Sequence, residues 1–135
     1  MRVVEVSTMV AALAVAAVTT ARGQRPAAAP ITPQLVARGD SIFHGQAAGA
    51  LCFGCHGPEG KGVPGVAPDL TAGKWLHGDG SYGFIMTIVE QGVPKPKVAA
   101  APMPPMGGAQ LTPADIRAVA AYVYSLTHAV KRSGP

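Results

Sequence analysis

Large aromatic side chains are scarce in this chain of 135 residues: one Trp, three Tyr and three Phe, 5% of the sequence. Hydrophobic residues reach 48%, but alanine supplies much of that total, so there is thin material for a core built from large side chains alone. A bound apolar group would supply the missing volume. Cysteine is scarcer still, with only Cys52 and Cys55. They lie three residues apart, which leaves none for a disulfide framework and makes a bridge between them geometrically awkward. No basic run or basic helix face occurs, and from Gln24 onward nine Lys/Arg stand against six Asp/Glu, so a nucleic-acid partner is excluded. No apolar run approaches the roughly 20 residues of a comfortable membrane span. A strand-rich βαβ pattern is missing too, and with it the setting in which a C-x-x-C pair acts as a thioredoxin-type dithiol.

What is present is Cys52-Phe53-Gly54-Cys55-His56, a C-x-x-C-H sequence. One turn of chain presents both thiols to one edge of a porphyrin, where each can add to a vinyl group and form a thioether. His56 follows directly, so its neutral imidazole can reach the iron of the same ring. A zinc site would need four N or S donors, drawn from the two cysteines and one or two of His44, His56, His77 and His128, and their spacing matches no common finger. Covalent haem c is the reading that remains.

Residues 1–23 read as a secretory signal. Arg2 opens it, Met9 to Val18 is a short apolar run, and small residues precede a cut after Ala21 or Gly23. An uncleaved anchor is the alternative, and only then would the membrane be a partner. Export to the periplasm agrees with the motif, because bacteria attach haem to C-x-x-C-H outside the cytoplasmic membrane. Residues 24–31 form a Pro/Ala linker, and 32–131 the folded domain.

Within that domain Thr32-Pro33 opens a helix, with Leu35, Gly39 and Ile42 on one face and Val36 and Phe43 beside them. Gly39 inside a helix suits either close approach by a second helix or simple tolerance. Gly45 to Gly49 ends the helix, and residues 57–62 are loop. Lys61 is a surface lysine or a donor to a haem carboxylate. Trp75 packs along the haem edge or offers its N–H to such a carboxylate, and His77, between glycines, is expected to be exposed. Ser81 caps a second helix whose apolar face is Phe84, Ile85, Ile88 and Val89, and Gly92 stops it. Met103-Pro104-Pro105-Met106 is stiff and non-helical, fit to hold a thioether at one place. Spacing does not choose between the two methionines. Thr112-Pro113-Ala114-Asp115 starts the last helix, with Asp115 suiting the positive end of the helix dipole. Ile116, Val119, Ala120 and Val123 form its apolar stripe, and Lys131 and Arg132 sit past its end.

Over about residues 32–128 the chain resembles the class I, mono-haem c-type cytochromes. The landmarks, in order, are Cys52 to His56, Ala67-Pro68-Asp69-Leu70, Met103-Pro104-Pro105-Met106-Gly107, and Ala120-Ala121-Tyr122-Val123 in the closing helix. The resemblance implies an all-α fold, a small helical bundle wrapped around one haem with the first and last helices crossing. It implies thioethers at Cys52 and Cys55, His56 as proximal iron ligand, and the Pro68 carbonyl orienting that imidazole. It favours Met103 over Met106 as sixth ligand, because the family's ligand methionine often begins an M-P-x-x-G segment ahead of a Leu-Ser/Thr helix start. It pairs Gly39 and Phe43 with Val119 and Tyr122. The function implied is an electron-transfer protein, not an enzyme: a single-electron carrier between larger redox proteins of a respiratory chain. The alternatives are a permanently bound haem c subunit of a dehydrogenase or oxidase, or a haem sensor with a dissociable methionine.

Overall fold

The computed structural model describes residues 30–130. The signal and all of the linker but Pro30 and Ile31 lie outside them, as do Lys131 and Arg132. Four helices carry the fold: α1 (Pro33–Phe43), the short α2 (Cys52–His56), α3 (Tyr82–Gln91) and α4 (Pro113–Ser125), with a 3-10 turn at Pro105–Gly108 ahead of α4. Among the described residues extended pairing is confined to two isolated bridges, Val63 with Ala67 and Val93 with Met103. The all-α expectation therefore holds. No helix of the described residues is long and apolar enough to cross a membrane.

The helix starts follow from their capping residues. The Thr32 hydroxyl accepts from Leu35 N–H at 3.2 Å and Ser81 accepts from Phe84 N–H at 3.3 Å. At α4 the cap is reciprocal. Thr112 Oγ1 accepts from Asp115 N–H, while Asp115 Oδ2 accepts from Thr112 N–H, both at 3.2 Å. Pro33 and Pro113 occupy first-turn positions, where a missing N–H removes no intrahelical bond.

The main packing event is α1 against α4. Gly39 is buried at the crossing, and a Cβ there would collide with the Ala118 carbonyl and with Cβ of Tyr122. Close approach, the first of the two expectations, is therefore what Gly39 provides. Phe43 sits on Tyr122 with ring centroids 5.1 Å apart, and Ile42, Phe43, Ala118, Val119 and Ala120 have almost no exposure. A row of alanines on α4 brings the two backbones together, at the expense of side-chain volume in the contact.

Asp115 does more than the helix dipole asks of it. It is buried, and besides its cap bonds it accepts from the Arg38 guanidinium of α1 through Oδ1. Those bonds, first Thr112 and then Arg38, hold its carboxyl below the usual carboxylate range. One other side chain differs from expectation. His77 is half-buried instead of exposed, because Trp75 and Leu76 carry its segment against the interior. Lys61 pairs with Glu59, both exposed.

Two outcomes test this packing. Gly39→Ala should destabilise the haem-loaded protein by about 3 kcal/mol, since the colliding atoms are backbone and cannot rotate away; thermal unfolding checks it. Asp115 has a depressed folded pKa, so its contribution is present above the unfolded value of about 3.9 and is lost as pH falls through the folded one. Asp115→Asn should accordingly lower stability near neutrality and flatten its acid dependence, read from melting temperatures across an acid pH series.

Candidate haem site

An apolar cavity lies between α2, α3, α4 and the loops that join them. Its walls are Phe43, Ile85, Ile88, Val89, Val119 and Val123 from the core helices, with residues 66–70, 75–77 and 96–107 closing the sides. All three chemistry-bearing residues of α2 line it: Cys52, Cys55 and His56. Cys52 is half-buried and burial pushes its thiol pKa up, while Cys55 is exposed. One apolar wall, two thiols on a single turn and one imidazole form a donor set that suits a porphyrin and its iron.

The His56 ring is oriented from behind. Its Nδ1 lies 3.1 Å from the Pro68 carbonyl oxygen, so Nδ1–H donates and the lone pair sits on Nε2. Burial lowers the pKa of the imidazole, against the opposing pull of that carbonyl, and the neutral form is the one that binds a metal. The loop that carries Pro68 is tied to the same residue a second time. Gly62 N–H donates to the His56 carbonyl at 2.7 Å, and Leu70 N–H donates to the Gly60 carbonyl at 2.8 Å. Gly62 has φ +78°, and a Cβ there would lie 2.6 Å from the Pro68 carbonyl carbon and 2.7 Å from Asp69 N. Only glycine lets the loop fold onto itself closely enough to aim that carbonyl.

A further wall is the methionine segment. Met103 is clamped through its backbone, its N–H donating to the Val93 carbonyl at 3.1 Å and its carbonyl accepting from Val93 N–H at 2.9 Å. Gly92, which ends α3 at φ +69°, lies against it, and a Cβ there would strike the Met103 carbonyl and come within 2.7 Å of Pro104. Met106 follows in the left-handed region, at φ 54° and ψ 25°, an uncommon conformation for a residue with a side chain. Next to it, Gly107 brings the turn up to Cys52, whose Sγ lies 3.8 Å from where a Cβ would stand. Both methionines are half-buried and both line the cavity.

Of the other sequence candidates, Trp75 lines the cavity and packs on the core, its indole edge against Gly80, where a Cβ would clash. His77 lines the cavity as well. His128 lies apart, stacked flat on Tyr124 at 3.9 Å. Sequence reasoning missed Gly62 and the packing role of Gly92, since neither differs in pattern from the other glycines. It also missed the bridging role of His44, whose partners Pro58 and Tyr122 are distant in sequence.

The fold and this site define a c-type haem protein. A model of the cytochrome c family matches residues 36–127, and the chain belongs to that family. Covalently bound haem c is its cofactor and electron transfer its role. Among curated relatives it is 37% identical over 97 residues to the cbb3-type cytochrome c oxidase subunit CcoP of Rubrivivax gelatinosus, covering 72% of this chain and 28% of that protein. It is 40% identical over 91 residues to subunit FixP of Bradyrhizobium diazoefficiens, covering 67% of this chain and 27% of the relative. The chain thus spans little more than a quarter of the length of these relatives. Among solved structures, a chain of the Kuenenia stuttgartiensis reducing HAO-like protein complex matches with a TM-score of 0.57 at 22% identity, over 76% of this chain and 48% of that one, a likeness of fold.

The Gly62 contact is testable. Gly62→Ala should displace the Pro68 carbonyl, lower the yield of haem-loaded protein and shift its midpoint potential. Gly65→Ala, with φ +74° but open space around it, should show only backbone strain of about 1 kcal/mol. Haem content per chain and redox titration check both.

Proposed function

We propose that this domain is an exported one-electron relay that works as a haem c unit of a larger redox assembly, an oxidase or a dehydrogenase, in preference to a freely diffusing carrier. The observation that carries the preference is the set of relatives, which are oxidase subunits of which this chain spans about a quarter. When bound, the haem supplies the one-electron couple of its iron. Cys52 and Cys55 hold it by thioethers, so it stays with the chain through every redox cycle. His56 would supply its Nε2 lone pair to the iron, its ring angle set by the Nδ1–H bond to the Pro68 carbonyl.

Met103 would supply a thioether sulfur as the second donor. The two backbone bonds to Val93 support it over Met106, because they fix the position of its Cα. Met106 is the alternative donor, and its left-handed backbone is the feature that speaks for it. With both donors in place no position would be left for a substrate, which favours electron transfer over catalysis. Lys97 and His77 are the cavity-lining side chains suited to the haem's carboxylates. Leu51, Val66 and Val98 line the same cavity yet are 63%, 47% and 56% exposed. Such apolar side chains at the rim suit contact with a protein partner. The periplasm is the compartment proposed, on the strength of the attachment chemistry and the apolar N-terminal run.

Substitution separates the methionines. Met103→Ala should abolish the weak far-red band of methionine-ligated ferric haem and allow rapid CO binding by the reduced protein, whereas Met106→Ala keeps the band; the reverse pattern reassigns the donor. Mild-detergent extraction followed by native electrophoresis with haem staining tests the assembly. Comigration with a large complex is expected, and haem stain only at the size of the free chain would favour the carrier.

A further inference from the structure

His44 lies outside the cavity, and its ring makes contacts that neither haem attachment nor core packing requires. It follows the last residue of α1. Its Nδ1 is 2.9 Å from the Asp40 carbonyl oxygen and 2.9 Å from Asp40 Oδ1. Its Nε2 is 2.7 Å from the carbonyl oxygen of Pro58, two residues beyond His56. Three elements enclose the ring. Phe43 of α1 meets it edge-on at 5.2 Å, Phe53 of α2 stacks at 6.2 Å, and Tyr122 of α4 meets it at 5.9 Å. The one residue thus joins α1 and the helix crossing to the segment that leaves the haem motif.

Both ring nitrogens face acceptors alone. A carbonyl oxygen and a carboxylate cannot donate, so each nitrogen must carry a hydrogen for both contacts to be bonds. A neutral imidazole has one N–H, and in either tautomer one nitrogen lone pair then points at an oxygen lone pair. The imidazolium alone satisfies the geometry. We propose that His44 is a positioning residue that, as an imidazolium, latches the segment behind the iron donor His56 to α1 and releases it when deprotonated. The path is short: Pro58 belongs to the segment that runs on to Gly62, whose N–H holds the His56 carbonyl and whose backbone abuts Pro68.

The charged group facing the ring is Asp40 on its own helix. From α4 it meets the Tyr122 phenol and from α2 the uncharged Phe53. In the segment beyond Pro58, Glu59 and Lys61 are paired with each other. The His44 pKa is raised, first by the Pro58 carbonyl, then by the Asp40 carbonyl and carboxylate, against partial burial. A raised folded pKa means that the latch contributes fully below the unfolded value of about 6.5 and is lost as pH rises through the folded one.

The test uses the full haem-loaded chain and its His44→Gln variant. The melting-temperature gap between the two should be several degrees near about pH 5.5 and shrink towards zero near about pH 8.5, with contributions from the other histidines cancelling in the difference. The midpoint potential of the wild type should change across the same window, and the variant should lack that step. Asp40→Asn, an exposed substitution that keeps both carbonyls, should move the step to lower pH. A melting gap that is constant with pH, or a midpoint step that persists in His44→Gln, would overturn the latch. The inference rests on His56 as an iron donor. Were that assignment wrong, the wild-type ferric spectrum would show it, whereas failure of the latch leaves the spectrum intact and removes only the pH effect.

Discussion

The near-contact of two helix backbones at Gly39 is the constraint on which the rest depends. α1 and α4 can touch there only because Gly39 has no side chain, so that it can lie against the Ala118 backbone and Cβ of Tyr122. Once the crossing is set, Phe43, Val119 and Val123 face inward along one wall, and α3 closes against α4 beside them. The Arg38–Asp115 bond holds the same pair of helices together. Asp115 meanwhile completes the cap that starts α4 immediately after the methionine segment. The rigidity of the crossing and the placing of that segment are therefore parts of one arrangement.

The interior shows why so few aromatic residues suffice. The buried residues of the described chain are mostly Ile, Val and Ala, and they form one side of an apolar cavity without filling it. A family member carries covalent haem c, whose flat apolar bulk would stand where another protein places Phe or Trp side chains. Stability and function then share one component. The cofactor is the redox centre and the missing part of the core, and loss of either thioether bears on both.

Around the cavity the positioning falls to backbone more than to side chains. The Pro68 carbonyl sets the His56 ring, Gly62 lets that carbonyl approach, Val93 fixes the Met103 backbone, and Gly92 allows the methionine segment to lie against the end of α3. Backbone bonds are short and lack rotamer freedom, so they hold a donor more narrowly than a second side chain would. His44 is the exception, a side chain that ties α1 to the segment after the motif and carries a protonation state with it.

Some of this was legible from the residues alone. Cys52, Cys55 and His56 stand out by local spacing, which survives in any fold. Thr32-Pro33, Ser81 and Thr112-Pro113 mark helix starts because capping is a local interaction, and the stripe of Ile116, Val119, Ala120 and Val123 follows from the helical period. Other features joined residues far apart in the chain, and no periodicity records those. Asp115 as partner of Arg38, His44 as bridge to Pro58, Gly92 as seat for the methionine segment and His77 on the cavity wall all required the fold. The chain by itself determined that it would be helical and carry one C-x-x-C-H motif, since both depend on neighbours within a few residues. Only the tertiary structure decided which glycines are obligatory and which carbonyl aims the imidazole, because those depend on contacts between segments that meet only once the chain has folded.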